Sequence, residues 1–598
     1  MENVVFLEAY TTASSYKETS TIHIPIESFI TYCIYKHCSP AEVSLRLVSV
    51  NDTEDGTSIV LEDEVHFVKD EVPWQVASCV YPVVMFQDTI ITGLCAVARH
   101  ICAHRSGHQN SLEHEEGLLG FRKSCLQAPN TVSIWTKFCE VDIIKTVKHI
   151  LETDKLEEVP VNLVRFENHL KKPVKVHNVY KIVRDMKKES LKAAYESKDE
   201  TNSNVKPDGE KPREAKNRKW KSNCKKRLEV DCSVKIEDLN ISHQFAEGPF
   251  ITLADLILLP TYHILIQAFG NTFETLLPLT HKWYQNIMNT LRENTLIDLL
   301  NKFPSKRLSV ENVILPTTED VSLYKSDPKR HNPKKRLFTK EDDIENALSS
   351  LSEGMEMNIT KAEISHTINW DNIPDGAKPS GGYLPDKRVV RKTQQLENLA
   401  LVVMNVAKEG DLIVDFCSGS GHLGILVAML LPKCTVILLE NKEQSLLRAR
   451  ERVHKMGVKN ILFYQCNLDF FIGKFDIGIA LHACGVASDL VLDKCLKANA
   501  KFVICPCCYG SLHVIDDLVY PRSSKFSSLT VEQYMCIGHA ADQTHEDHPL
   551  TERGMRCMAA IDSDRARLAQ EFDYEVTLSK LNFLSCTPKN NLLIGVPS

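Results

Sequence analysis

Apolar and polar positions change rhythm several times along the chain. Up to about residue 105, strand-like and helix-like runs alternate. IHIPIESFITYCIYKHC reads as a strand leading into a helix, ASCVYPVVMF as a strand pair, and DTIITGLCAVARHICAHR as a helix capped by Asp88. From about 115 to 185, stretches such as SIWTKFCEVDIIKTVKHILE keep helical spacing with little strand character. Apolar residues then become scarce between Lys187 and Arg227, and helical pattern resumes at Thr252. There Thr252 and Asp255 form the T-x-x-D of a capping box, with Ile251 and Leu256 placed as a hydrophobic staple around the apolar run LILLPTYHILIQAF. A second polar stretch, about 316 to 345, precedes a regular alternation of strands and helices that continues to the last residues. Its strands read DLIVDFC, TVILLE, NILFYQCN, FDIGIALHACG, KFVICPCCYG, YEVTLSKL and NNLLIGVP.

Composition narrows this picture. The 598 residues are too many for one hydrophobic core, and 43% hydrophobic with 25% charged is an ordinary globular balance. The net charge of −7 hides a local excess of the opposite sign. Between Lys187 and Arg227 stand fourteen Lys/Arg against seven Asp/Glu, a local +7, with too few apolar residues to offset ordering entropy. This segment is expected to be a disordered insertion, a solvated linker or a contact for RNA or acidic partners. The start lacks a basic region followed by an apolar core. The longest apolar run, Leu423 to Leu431, is about half of the ~20 residues a bilayer span needs. The expected compartment is the cytoplasm, without membrane contact, where the twenty cysteines are thiols rather than disulfides.

The sharpest chemistry lies in the second half. The first strand of the regular alternation ends in Asp415-Phe-Cys417-Ser-Gly419-Ser-Gly421, a glycine turn that opens an apolar helix. Glycines there let the backbone approach a ligand closely. The second strand ends in Glu440, the position at which nucleotide-binding α/β folds grip ribose hydroxyls. Asn467 and Asp469 follow the third strand, His482 and Cys484 end the fourth, and Cys505 to Tyr509 end the fifth. Ligands in such sheets sit at the carboxyl ends of the strands.

This half resembles class I S-adenosylmethionine-dependent methyltransferases. D-F-C-S-G-S-G corresponds to that family's D-x-G-x-G-x-G loop, with Cys417 replacing the first glycine. The resemblance implies S-adenosylmethionine as cofactor, held by Asp415, Cys417, Gly419, Gly421 and Glu440, with Asn467 or Asp469 near the adenine. LHACGVASDLVLDKCL, the later PCC and the upstream helix GGYLPDKRVVRKTQQLENL look like one branch of the class. The first half is similar to glutathione transferases. Val72-Pro73 stands where that family has a cis proline, Asp88-Thr89 where an acidic residue and a hydroxyl cap the next helix, and GPFITLADLILLP with Trp283 where its second domain has a buried helix. That resemblance implies glutathione contacts at Val72, Asp88 and Thr89. The hydroxyl cluster Tyr10, Thr11, Ser14, Ser15 and Tyr16 carries no distinct thiol-activating motif. The module is therefore read as a docking unit ahead of a conjugating enzyme.

The two resemblances imply an α/β multidomain chain. A thioredoxin-like domain covers 1–110, and a helical domain like the glutathione transferase C-terminal domain covers 111–300, interrupted by the insertion at 187–230. A linker spans 301–360. A Rossmann-like, seven-stranded methyltransferase domain spans 361–598.

The strand-tip residues His482, Cys484, Cys507 and Cys508 are the candidate catalytic groups, and three readings stay open. Cys484 and a cysteine of the 505–508 cluster are a nucleophile and general acid for a pyrimidine. Alternatively, His482, Cys484, Cys505, Cys507, Cys508 and His513 supply a metal site. The preferred reading has no metal: His482 acts as base or orienting group, and the cysteines line a tight pocket. The acceptor is unidentified; RNA, protein and small molecule are all allowed, and a wholly non-catalytic scaffold is the alternative from another class.

Overall fold

The computed structural model describes the chain apart from residues 1–2, 11–19, 51–56, 62–65, 69–71, 108–109, 175–182, 184–240, 292–294, 302–305, 311–312, 321, 325–339, 352–365, 383–384 and 545–548. The basic insertion and the hydroxyl cluster from Thr11 to Tyr16 lie outside the described residues.

The second half begins with β8 (Leu412–Phe416), β9 (Thr435–Glu440), β10 (Ile461–Gln465), β11 (Ile477–Cys484) and β12 (Lys501–Cys507). Their residues are apolar on both faces, as parallel strands covered by helices on both sides must be. The two-residue period of a strand divides them cleanly. Ile413, Val436, Leu438, Phe463, Ile479 and Val503 pack on one face, beneath the helices Asp386–Val406, His422–Leu430 and Glu443–Met456. Val414, Phe416, Ile437, Leu439, Tyr464, Phe502 and Ile504 face the other side. The strand pair β13 (Tyr574–Lys580) and β14 (Asn591–Pro597) closes that edge, β14 running antiparallel to β12. The order β13-β14-β12-β11-β8-β9-β10 reverses direction between β8 and β11, and the cleft at that switch point becomes the expected ligand position.

The expected seven-stranded sheet is not what forms. Among the described residues, seven strands come from 412–597, but the sheet has fourteen and runs on past β10 into the first half. β7 (Thr89–Thr92) pairs in parallel with β10, in the register Phe463↔Thr89, Tyr464↔Ile90, Gln465↔Ile91. β6 (Val83–Phe86) lies antiparallel to β7, and β1 (Asn3–Tyr10) antiparallel to β6. β3 (Ser44–Val50) lies parallel to β1 across the helix Ile26–Cys38, and β5 (His66–Val68) parallel to β3. β2 (Ser20–Ile24) and β4 (Thr57–Leu61) complete the far edge. Val4, Phe6, Val83 and Ile90 share one core with Val414, Ile437 and Tyr464, so a single hydrophobic layer crosses the junction. Arg99–Glu443 (3.2 Å) and Arg450–Asp88 (2.9 Å) add ion pairs beside it, and His454 Nε2 lies 2.6 Å from Asp88 Oδ2.

The capping box forms as expected. Thr252 N donates to Asp255 Oδ2 at 2.8 Å, and the buried Asp255 also accepts from Ala246 N (2.7 Å) and from Trp283 Nε1 (2.8 Å). The segment expected to be a linker packs against both halves in its described parts. Leu308 and Leu323 join the helical core, while Ile344, Ala347 and Leu348 of the helix Glu341–Ser349 pack with Tyr509, Tyr534 and Ile561. No helix among the described residues is long and apolar enough to cross a membrane.

Candidate functional site

Asp415 stands at the end of β8, and its Oδ2 accepts from Gly424 N at 2.8 Å, tying the strand tip to the helix that follows. Burial pushes its pKa up to about 7, against the opposing pull of that N–H and of Lys392. The turn between them is left-handed: Cys417 has φ 55°, Gly419 φ 57° and Gly421 φ 74°. A Cβ on Gly421 would meet Leu438 Cδ1 at 2.7 Å, so that glycine is required by packing. A Cβ on Gly419 would meet nothing within 4 Å, so that glycine leaves open space above the backbone. Glu440 closes the turn from behind: its Oε2 accepts from Gly419 N at 2.7 Å and its Oε1 from Lys442 N at 2.9 Å. Burial and the neighbouring carboxylates push the Cys417 thiol up to about 12, which makes it a packing group rather than a nucleophile.

Asp415, Cys417 and Gly419 line a cleft of about 590 Å³, together with Arg388, Arg391, Lys392 and Gln395 of the helix Asp386–Val406, Leu481 and His482, and Cys586 to Pro588, while Gly421 and Glu440 lie behind its wall. Two polar atoms in its wall, Ser418 Oγ and His422 Nδ1, are buried without a hydrogen-bond partner. The size is that of a small-molecule site, and unpartnered buried polar atoms beside an open glycine turn suit a polar ligand.

His482 reaches the cleft through a bulge. β11 and β12 pair as Leu481↔Cys505 and then Ala483↔Pro506, so His482 is the extra residue, at φ 68°. Such bulges re-aim a side chain, and a left-handed non-glycine costs backbone strain that the surroundings must hold. Gln395 supplies the hold. Its Nε2 donates to Cys586 O at 2.9 Å, which turns its Oε1 toward His482 Nε2, also at 2.9 Å. The imidazole must then donate from Nε2, and its lone pair sits on Nδ1. Burial, with Lys392 close by, pushes its pKa down to about 4, so the ring is neutral near pH 7. Gln395 was visible in the sequence only as part of a basic helix; its role depends on a contact with β11 that no local pattern announces.

Beyond His482, parallel pairing sets Cys484 opposite Cys507, with Sγ atoms 3.0 Å apart. Cys508 follows at φ 50°, and all three Sγ atoms lie within 4.8 Å of one another. Cys505 is not with them: it is fully buried and donates to Lys589 O at 3.7 Å. His513 turns its Nδ1 to Ser511 O at 2.9 Å.

Several expected contacts are redrawn. Asn467 faces Asn441 Nδ2 (3.2 Å) in a small polar void of about 30 Å³ between the halves, away from the main cleft. Asp469 lies on the turn Leu468–Phe470, where burial raises its pKa against the pull of Lys494; it does not line the cleft either. Among the described residues the first half's cis peptide bond is Tyr81–Pro82, directly before β6, and not Val72–Pro73. Pro73 instead caps the short helix Trp74–Ala77, where its fixed φ suits a helix start. Asp88 does not cap a helix. Gln87 at φ 61° and Asp88 form the hairpin turn between β6 and β7, Thr89 begins β7, and Asp88 is spent on Arg450 and His454.

The helix that those residues were expected to cap is Leu94–Ala103, which starts after Gly93. Its N-terminus already holds a carboxylate of the chain itself. Cys95 N donates to Glu140 Oε1 at 3.1 Å, and Asn130 Nδ2 donates to Oε2 at 2.7 Å. Burial pushes Glu140 up to about 7, so between about pH 4.5 and 7 the folded chain keeps a proton that the unfolded chain releases. Stability from this group is therefore expected to fall as pH rises through that window, by up to about 3 kcal/mol. Unfolding of the chain and of Glu140→Gln between pH 5 and 8 checks it. The variant should gain relative stability toward pH 8; parallel pH profiles would rule the linkage out.

The strand order, the switch-point cleft and the glycine turn define a Rossmann-like methyltransferase fold, and a family model described as "Methyltransferase domain" matches residues 391–514. The similarity to other chains extends much further than that domain. A glutathione S-transferase C-terminal domain-containing protein homolog from Drosophila melanogaster is 39% identical over 97% of this chain and 97% of its own length. The human glutathione S-transferase C-terminal domain-containing protein is 33% identical over 97% of each, and the Xenopus laevis protein 35% identical over 96% of this chain and 97% of its own. The chain belongs to this family. Among solved structures, magnesium protoporphyrin IX methyltransferase from Synechocystis PCC 6803 aligns with 38% of this chain and 99% of its own, at 13% identity and a TM-score of 0.23. A likeness that faint carries no argument.

Proposed function

We propose that the second half binds S-adenosylmethionine in the β8–β11 cleft and that its methyl group passes to an acceptor held at the tips of β11 and β12. The observation that carries this reading is the open left-handed turn at Gly419, flanked by the unpartnered Ser418 Oγ and His422 Nδ1. When bound, S-adenosylmethionine supplies a methyl group on a positively charged sulfur, which an acceptor displaces in line. Glu440 offers its carboxylate beside Gly419, where ribose hydroxyls find acceptors. Asp415, with Lys392 opposite it, fixes the turn. An oxygen or nitrogen acceptor sheds a proton, and Nδ1 of His482 is the nitrogen left free to take it. Arg388 and Arg391, both exposed at the cleft, favour an acceptor that carries negative charge, RNA included.

The first half is read as a thioredoxin-like, glutathione-transferase-like docking module. Its β1-helix-β3 and β6-β7-helix order supports that reading, as does the capping box at Thr252. Glutathione conjugation is disfavoured, because Glu140 already sits on the helix N-terminus that would receive a ligand carboxylate.

Calorimetry of the full chain with S-adenosylmethionine and S-adenosylhomocysteine tests the first reading. Binding with a Kd on the order of micromolar is expected. A folded chain that gives no heat with either compound would overturn it.

A further inference from the structure

The three strand-tip thiols have no assigned role in holding the methyl donor, and their geometry is more specific than packing requires. Successive residues of a strand point to opposite faces, so Cys507 and Cys508 would ordinarily diverge. The left-handed φ of Cys508 ends the strand at that residue and brings its thiol back beside Cys507. Parallel pairing brings Cys484 up from the neighbouring strand. Gly485 N donates to Cys507 O at 3.0 Å, fixing the two tips together. The result is three sulfurs from two adjacent tips, each within 4.8 Å of the others.

We propose that Cys484, Cys507 and Cys508 form a zinc site with three thiolate ligands and one position open to solvent. Tetrahedral zinc at Zn–S ≈ 2.3 Å places its sulfurs about 3.8 Å apart, so the thiols need only small shifts to enclose an ion. Soft sulfur donors select zinc over the hard divalent ions. Among the described residues no histidine or carboxylate joins the group, and Cys484 is exposed while Cys507 is buried. The open fourth position therefore lies toward solvent on the Cys484 side. Three protein ligands with one open position are the arrangement of reactive rather than purely structural zinc. Each thiol that binds releases its proton to solvent, so loading is pH-dependent and the site is blocked by chelators.

The inference rests on the thiols alone and is independent of the methyl-donor reading, because S-adenosylhomocysteine binding is measured separately. The experiment is elemental analysis of the full chain purified without chelator, followed by titration of the metal-stripped chain with cobalt(II). One zinc per chain is expected, together with an intense thiolate-to-cobalt absorption that is absent from Cys484→Ser and from Cys508→Ser. The cobalt spectrum of the parent chain keeps the test decisive even if a variant folds poorly. Zinc below roughly a tenth of an equivalent with no thiolate–cobalt band would overturn the proposal. So would zinc fully retained in a folded Cys484→Ser/Cys507→Ser chain, or a thiol count showing Cys484 and Cys507 joined as a disulfide.

Discussion

Arg565→Ala is expected to destabilise the second half by about 3–5 kcal/mol, the cost of removing the guanidinium that bonds two buried carboxylates. Arg565 is 2% exposed and sits between two aspartates that are fully buried. Its Nε and Nη2 grip Asp489 at 2.9 and 2.8 Å, and its Nη1 reaches Asp562 at 3.0 Å. The aspartates are used further. Asp489 accepts from Tyr520 OH at 3.0 Å, and Asp562 from Tyr509 OH at 2.6 Å and Asn591 Nδ2 at 2.7 Å. Helix Thr551–Glu571, helix Val486–Ala498, β14 and the residue directly after Cys508 thus meet at one guanidinium. Lysine cannot reproduce the two-pronged contact, so Arg565→Lys should recover only part of the loss. Denaturant unfolding followed through this half measures both variants. A loss below about 1 kcal/mol for the alanine variant would mean that water or a rearranged side chain satisfies the aspartates, and the account of the network would be wrong.

Gly419→Leu should lower affinity for S-adenosylhomocysteine by about 100-fold or more, equivalent to roughly 2.7 kcal/mol of binding, while the fold survives. A Cβ at Gly419 meets nothing within 4 Å, and Gly419 lines the cleft, so the added side chain is expected to take up space a ligand would use. Its backbone at φ 57° costs roughly 1–2 kcal/mol for a residue with a Cβ, and Cys417 at φ 55° bears the same conformation two residues earlier. The N–H donated to Glu440 is retained, so the turn keeps its anchor. Calorimetry beside a thermal melt separates the two effects. Affinity within about threefold of the parent would place the ligand elsewhere.

Much of this site was legible in the sequence, for a local reason. Asp415, Gly419 and Glu440 sit at fixed offsets from strands whose apolar runs are unmistakable, so spacing alone carries them to one end of the sheet. The capping box at Thr252 was legible in the same way. What escaped depends on partners distant in sequence. The tie from Gln395 to His482 needs β11 and Cys586 in place. The bulge that turns His482 is a register mismatch between two strands and leaves no trace in either one. Asn467 and Asp469 follow their strand as expected, but Asn467 lines the void between the halves and Asp469 is not among the residues lining the cleft. Asp88 was misassigned because the hairpin turn at Gln87–Asp88 interrupts what reads as a continuous helix start. Six cysteines and histidines were named at the strand tips; only the left-handed turn at Cys508 decides which three converge.

The junction of β7 with β10 bears on descent as well as on architecture. In a sheet of seven strands, β10 would be a bare margin, its amides and carbonyls open to any passing strand. Here that margin is covered by the chain's own first half. A lineage that shed the first half would expose this edge at a stroke, along with the apolar layer that crosses it. Loss would have to coincide with new residues blunting β10, a combination far rarer than either change alone. The fly and human relatives align with this chain over 97% of their own length, both halves included. Two modules that look separable on the sequence are inherited as one.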